Sequence, residues 1–211
     1  MARLAPITMI IAVLAGGAVA APAGTQLLAQ DTTGGPGIAT SNLLAADAST
    51  SAPSSTVVET ASAPTPTDRG QDALELIAYN WQAGLPGWSI VFAPGREHVL
   101  GLTYVDTKTI EIYVRDDQTP ALLAHVIAHE MGHAVDVTLN DGDERRRWQE
   151  TRGVGTAPWW PGEGATDFST GAGDFAESFA AWQVGPGNFR SKLAEAPSAE
   201  QLGLLAELSE A

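Results

Sequence analysis

The spacing of apolar residues in the second half of the chain predicts a small sheet followed by helices. Apolar positions at helical intervals predict an amphipathic helix over residues 71–81. Three short apolar or alternating segments predict strands over residues 88–92, 98–104 and 109–115. Helical spacing returns over residues 119–139, 143–152, 174–183 and 198–209. This order of elements predicts an α+β fold.

The first 23 residues have a different pattern. A short basic start at Met1–Arg3 precedes an apolar run over residues 4–23. Ala18-Val19-Ala20 offers a small-residue cleavage site, so residues 1–23 are predicted to be a secretory signal peptide. The alternative is an uncleaved membrane anchor, because the apolar run is nearly long enough to span a bilayer.

Residues 24–68 are rich in Ser, Thr, Ala, Pro and Gly and lack apolar periodicity. Such a composition buries too little surface to offset the entropy of ordering, which predicts a disordered spacer. The folded domain is then expected over residues 69–211, about 140 residues and a normal size for one domain.

Charge and cysteine content limit which partners the chain is expected to bind and in which compartment it is expected to lie. The chain has 25 acidic and 11 basic residues, a net charge of −14, and no cysteine. That charge repels nucleic acid and anionic membrane surfaces, so membrane contact is expected only through an N-terminal anchor. The absence of cysteine, together with the signal peptide, predicts a secreted or cell-surface bacterial protein that has no disulfides.

Residues 129–133 read His-Glu-Met-Gly-His, the HExxH motif, within the helix predicted over 119–139. Residues four apart lie on one face of a helix, so His129 and His133 can direct two imidazoles at one zinc ion. Glu130 is then placed to take a proton from a zinc-activated water. His125 lies a further turn away, about 12 Å from His133 along the axis, and is expected to pack or hydrogen bond locally.

The stretch from His129 to Asp136, followed about forty residues later by Asp174-Phe-Ala-Glu-Ser-Phe179, resembles the lethal-factor-like zinc metallopeptidases of the gluzincin group. The resemblance implies a zincin-like single domain that hydrolyses peptide bonds in a peptide or protein substrate. It also implies that the strand over residues 109–115 lines the cleft and pairs with the extended substrate backbone.

The chain departs from that family at the third zinc ligand. Members usually carry a ligating Glu at the position of Gly173, which has no side chain to bind metal. Glu177 lies about 40° around the helix from Gly173 and Asp174 about 100°. One of these two is predicted to be the third ligand and the other to hydrogen bond a ligating histidine. In the region that often supplies an oxyanion-stabilising tyrosine, the chain has Phe168.

Two main functions follow. The first is an exported zinc metallopeptidase with Glu130 as general base. The alternative is a catalytically inactive zincin-fold module that binds at the surface or cell wall, which the departures at Gly173 and Phe168 favour. A membrane-anchored scaffold without metal would require the HExxH motif to be coincidental.

Overall fold

The computed structural model describes residues 10–14, 62–162 and 166–210. The strands are β1 (Ile10–Leu14), β2 (Ser89–Pro94), β3 (Val99–Tyr104) and β4 (Thr109–Val114). The α-helices are α1 (Pro66–Leu74), α2 (Trp81–Gly84), α3 (Pro120–Leu139), α4 (Gly142–Arg152), α5 (Gly171–Val184) and α6 (Ala199–Leu208). Two 3-10 helices cover Asp167–Ser169 and Pro186–Asn188. The predicted α+β class is confirmed.

The helix predicted over residues 71–81 is two shorter helices. Thr65 caps α1 through a capping box with Asp68, and Pro66 occupies the first turn, so α1 begins earlier than the apolar spacing indicated. The side chain of Asn80 caps α2 separately. Helix α1 therefore begins ahead of the predicted domain boundary at residue 69.

The sheet has the order β1-β3-β4-β2. Strand β3 pairs antiparallel with both β1 and β4, whereas β2 pairs parallel with β4. Strand β4 has neighbours on both sides and buries Ile110 and Ile112 completely. The expectation that residues 109–115 pair with an extended substrate is therefore wrong, because β4 has no free edge. Strand β3 lies beside β4, and its other side is paired with β1.

Helix α3 carries the HExxH motif through the centre of the domain. Thr119 caps it, Pro120 opens it, and every residue from Leu123 to Asp136 is buried. Gly132 allows α5 to approach closely, since a Cβ at that position would lie 2.7 Å from the Cα of Ala176. The motif is thus enclosed between the sheet and α5.

The N-terminal predictions fall largely outside the described residues. Of the predicted signal peptide, only residues 10–14 are described, and they form β1. The spacer prediction lies outside them up to residue 61. Among the described helices, none is both long and apolar enough to cross a membrane.

Candidate metal centre

The two histidines of the motif lie one helical turn apart with their rings directed at the same point. Their Nε2 atoms are 3.1 Å apart, and the rings meet edge to face at 4.9 Å between centroids. Both side chains are buried. Two buried imidazole nitrogens this close together are unfavourable unless a proton or a cation lies between them.

Asp167 completes a three-sided set of donor atoms. Its Oδ2 atom lies 3.0 Å from Nε2 of His129 and 3.2 Å from Nε2 of His133. Ligand atoms bound to a tetrahedral zinc ion at 2.0–2.1 Å are about 3.3 Å apart, close to these three distances. Oδ1 of Asp167 is buried without a hydrogen-bond partner. The buried side chains of His129, His133 and Asp167 could hold a metal ion.

Gly173 explains how Asp167 reaches the histidines. A Cβ at Gly173 would overlap the carbonyl oxygen of Asp167 and lie 2.8 Å from its Oδ2. The Asp167–Ser169 turn therefore occupies the space into which a side chain at position 173 would project. Thr170 holds the turn against α5, since its hydroxyl donates to the Asp167 carbonyl and accepts from the amide of Gly173.

Glu177 lies on the other side of His129. Its Oε1 atom is 2.7 Å from Nδ1 of His129, the ring nitrogen opposite the Asp167 contact. It also lies 3.2 Å from Nε2 of His125, and Oε2 accepts from the backbone amide of Arg190. Glu177 thus fixes the ring orientation of His129, and it is not brought to the face that the three donor atoms share.

Asp174 takes no part in the site. Its two carboxylate oxygens accept hydrogen bonds of 2.9 Å from Nε and Nη2 of Arg152, and Ser191 donates to Oδ1. Arg152 is itself buried. The predicted choice between Glu177 and Asp174 as third ligand therefore does not match the geometry, because the helix turn from Gly173 directs Glu177 at Nδ1 and Asp174 at α4.

Glu130 projects from α3 toward β3. The Thr103 hydroxyl donates to its Oε2 at 2.6 Å, while Oε1 is buried without a partner. A Cβ at Gly101 would lie 2.6 Å from Oε1, so a glycine is needed there for the carboxylate to fit. Burial raises the pKa of Glu130, against the neighbouring histidines and the Thr103 hydroxyl, which lower it. A raised pKa suits a carboxylate that must hold and release a proton near neutral pH.

Several aromatic and acidic residues of the motif region and the sheet lie beside the site or away from it. Phe168 packs its ring edge against His129 at 5.7 Å between centroids. Tyr104 and Tyr113 both donate to Glu111, on another part of the sheet. Asp136 accepts from Arg145 and from the Trp159 indole.

Without a metal ion, the carboxylates around His129 favour its protonated form. Burial disfavours the charged imidazole of His129, but its contacts with Asp167 and Glu177 outweigh burial and raise its pKa to about 10. Against the opposing effect of burial, contacts with His125 and His129 lower the pKa of Glu177 to about 2. Contacts with His133 and His129 hold the pKa of Asp167 well below its usual range. At neutral pH His129 of the metal-free site is therefore an imidazolium between two carboxylates, with one proton more than the neutral ring.

Metal binding is expected to release this proton. A ligating imidazole must be neutral, so the apparent affinity for zinc should rise about tenfold per pH unit between pH 7 and 9 and level off near pH 10. Calorimetric titrations at pH 7.5 in buffers of different ionisation enthalpy should give close to one proton released per ion. The absence of any released proton would contradict this arrangement of charges.

The sequence carried one signal for Asp167. Between Gly164 and Gly173 it is the only carboxylate, directly ahead of the helix in which a third ligand was expected. Counting along the helix alone misses it, because the turn folds back over Gly173.

Comparison of the chain with protein-family models, curated proteins and solved structures finds no significant match.

Proposed function

We propose that the protein is an exported zinc-dependent metallopeptidase in which His129, His133 and Asp167 hold the ion. The observation that carries the proposal is the buried carboxylate of Glu130, with one oxygen fixed by Thr103 and the other free of hydrogen bonds. An unpaired buried carboxylate oxygen is costly, and it is expected where a group must accept a proton during a reaction.

Each residue has a distinct task in this proposal. A zinc ion, when bound, would polarise a water molecule and the scissile carbonyl. Glu130 accepts the proton of the water at Oε1 and passes it to the leaving amine, while Thr103 keeps the carboxylate in place. Glu177 accepts a hydrogen bond from Nδ1 of His129, which keeps Nε2 free to ligate.

The zincin-like fold and the kinship with lethal-factor-like peptidases are part of the proposal. The central HExxH helix packed against a small sheet supports them. The site differs from the usual gluzincin arrangement in one respect: an Asp on the turn before α5 replaces a Glu on the helix. Zinc accepts carboxylate oxygen from either residue, so the donor set keeps two nitrogens and one oxygen.

The inactive surface or cell-wall module is the second candidate. It is favoured by Phe168, which places an aromatic ring instead of a hydroxyl beside His129. Such a module would bind zinc for stability or not at all, and would turn over no peptide.

Metal removal and return separates the candidates. The full chain is treated with a chelator, dialysed, and assayed on a fluorogenic peptide library before and after one equivalent of zinc is added. We expect cleavage to disappear with the metal and return with it. Stoichiometric zinc without cleavage would identify the interaction module, and failure to bind zinc would identify the metal-free scaffold.

A further inference from the structure

Strand β1 occupies the outer edge of β3. The pairing is antiparallel and places Ile10 opposite Tyr104, Ile11 opposite Thr103, Ala12 opposite Leu102 and Val13 opposite Gly101. Gly101 and Thr103 are the two residues of β3 that contact the Glu130 carboxylate. The backbone of residues 11–13 therefore runs past the general base.

The same strand also approaches the metal ligands. It lies close to the Asp167–Ser169 turn and to α3. The turn supplies Asp167, and α3 supplies both histidines. Strand β1 consequently lies near both elements that carry the donor atoms.

The site is closed in this arrangement. Glu130 and His133 have no solvent exposure, and His129 is 1% exposed. A hydrolase must admit both water and a peptide to these groups, so a closed site requires that some element can leave. Among the described strands, β1 is at the edge of the sheet and pairs with β3 alone. Backbone pairing of this kind is independent of side-chain identity.

We propose that residues 10–14 occupy the position of an extended peptide substrate and hold the peptidase latent. The inference rests on the proposed function, and it specifies the substrate as an extended backbone added antiparallel to β3. A free peptide must displace β1, so the observed rate equals the rate of the fully open protein multiplied by the fraction of molecules in which the edge is open. If residues 1–23 are removed as a signal peptide, the edge opens when the leader is cleaved.

Proline substitutions can test the pairing with a matched control. In an antiparallel strand, alternate residues direct their N–H groups toward the partner, and the others direct them away. Two double variants are compared, Ile10→Pro/Ala12→Pro and Ile11→Pro/Val13→Pro. Only one of them removes N–H groups that face β3. Both variants carry the same number of prolines in the same strand, and an outward-facing proline is tolerated on an edge strand.

We expect one double variant of the full chain to cleave peptides about tenfold faster than the parent or more, and the other to behave like the parent. Amide hydrogen exchange in residues 99–104 should accelerate in the faster variant alone. A synthetic peptide with the sequence of residues 8–16 should inhibit the faster variant, whereas a scrambled peptide should not. We expect latency to be partial. If about a hundredth of the molecules are open at any time, the parent protein still cleaves peptides at a measurable rate.

The outcomes distinguish this inference from the function on which it rests. Equal rates and equal exchange in both variants and the parent would overturn the latent strand while leaving the peptidase intact. Equal acceleration of cleavage in both variants would also overturn it, because the change in rate would then not depend on which N–H groups are hydrogen bonded to β3. A difference in exchange without cleavage by any variant would overturn the peptidase, and with it the substrate role of β1.

Discussion

Glu130→Gln is expected to abolish peptide cleavage while the protein keeps its zinc. The amide has the same shape and still accepts from Thr103, but it cannot take a proton. General base catalysis contributes about 10²–10⁴ in rate, so kcat should fall by at least about a hundredfold. The proposed ligands His129, His133 and Asp167 are unchanged, so we expect the zinc content measured by atomic emission to stay at one per chain.

The matched control is Glu150→Gln on α4. Glu150 is exposed and its substitution removes the same charge from the same protein. Its rate and zinc content should equal those of the parent. Both variants are best assayed in the full chain and again in the double proline variant that opens β3, where the parent rate is higher. Undiminished cleavage by Glu130→Gln in either background would show that Glu130 is not the base.

Asp167→Asn is expected to lose zinc. The substitution removes the one anionic donor from a site whose other two ligands are neutral when metal is bound. Removing a partner outside the ligand set, as in Glu177→Gln, costs about 10–100-fold in affinity, and loss of a direct ligand should exceed that range. Competition with a chromophoric chelator would rank the parent, Glu177→Gln and Asp167→Asn in this order of falling affinity.

Asp174→Asn serves as the control for a buried carboxylate that does not bind metal. It leaves Arg152 buried beside a neutral amide, and breaking a buried ion pair in this way costs about 3–5 kcal/mol of stability. Thermal unfolding should therefore shift to lower temperature while zinc affinity in the folded state is kept. Loss of zinc from Glu177→Gln but not from Asp167→Asn would reverse the assignment and return the ligand role to Glu177.

The apolar pattern predicted most of the elements because each depends on local rules. The strands at 89–94, 99–104 and 109–114 lie within two residues of their predicted limits. Helix α3 begins after the cap and proline that predicted its start, at Thr119 and Pro120. The first helix was misplaced because its capping box lies in a stretch whose composition resembled the spacer.

The partners of each strand could not be read from the pattern. Alternation within residues 109–115 predicts a strand, but it does not say whether the strand is central or at an edge. Parallel pairing with β2 and antiparallel pairing with β3 place β4 inside the sheet. Strand β3 runs beside Glu130, and its side away from β4 is paired with the chain's own residues 10–14.

The sequence by itself determined the motif helix, the two histidines and the neighbouring Glu130, because a helix fixes the direction of side chains one turn apart. Only the tertiary structure decided the third donor. Glu177, Asp174 and Asp167 all lie within eleven positions of the chain. Which of them meets the Nε2 atoms depends on a turn that folds over Gly173, a contact between residues whose packing no local spacing rule describes.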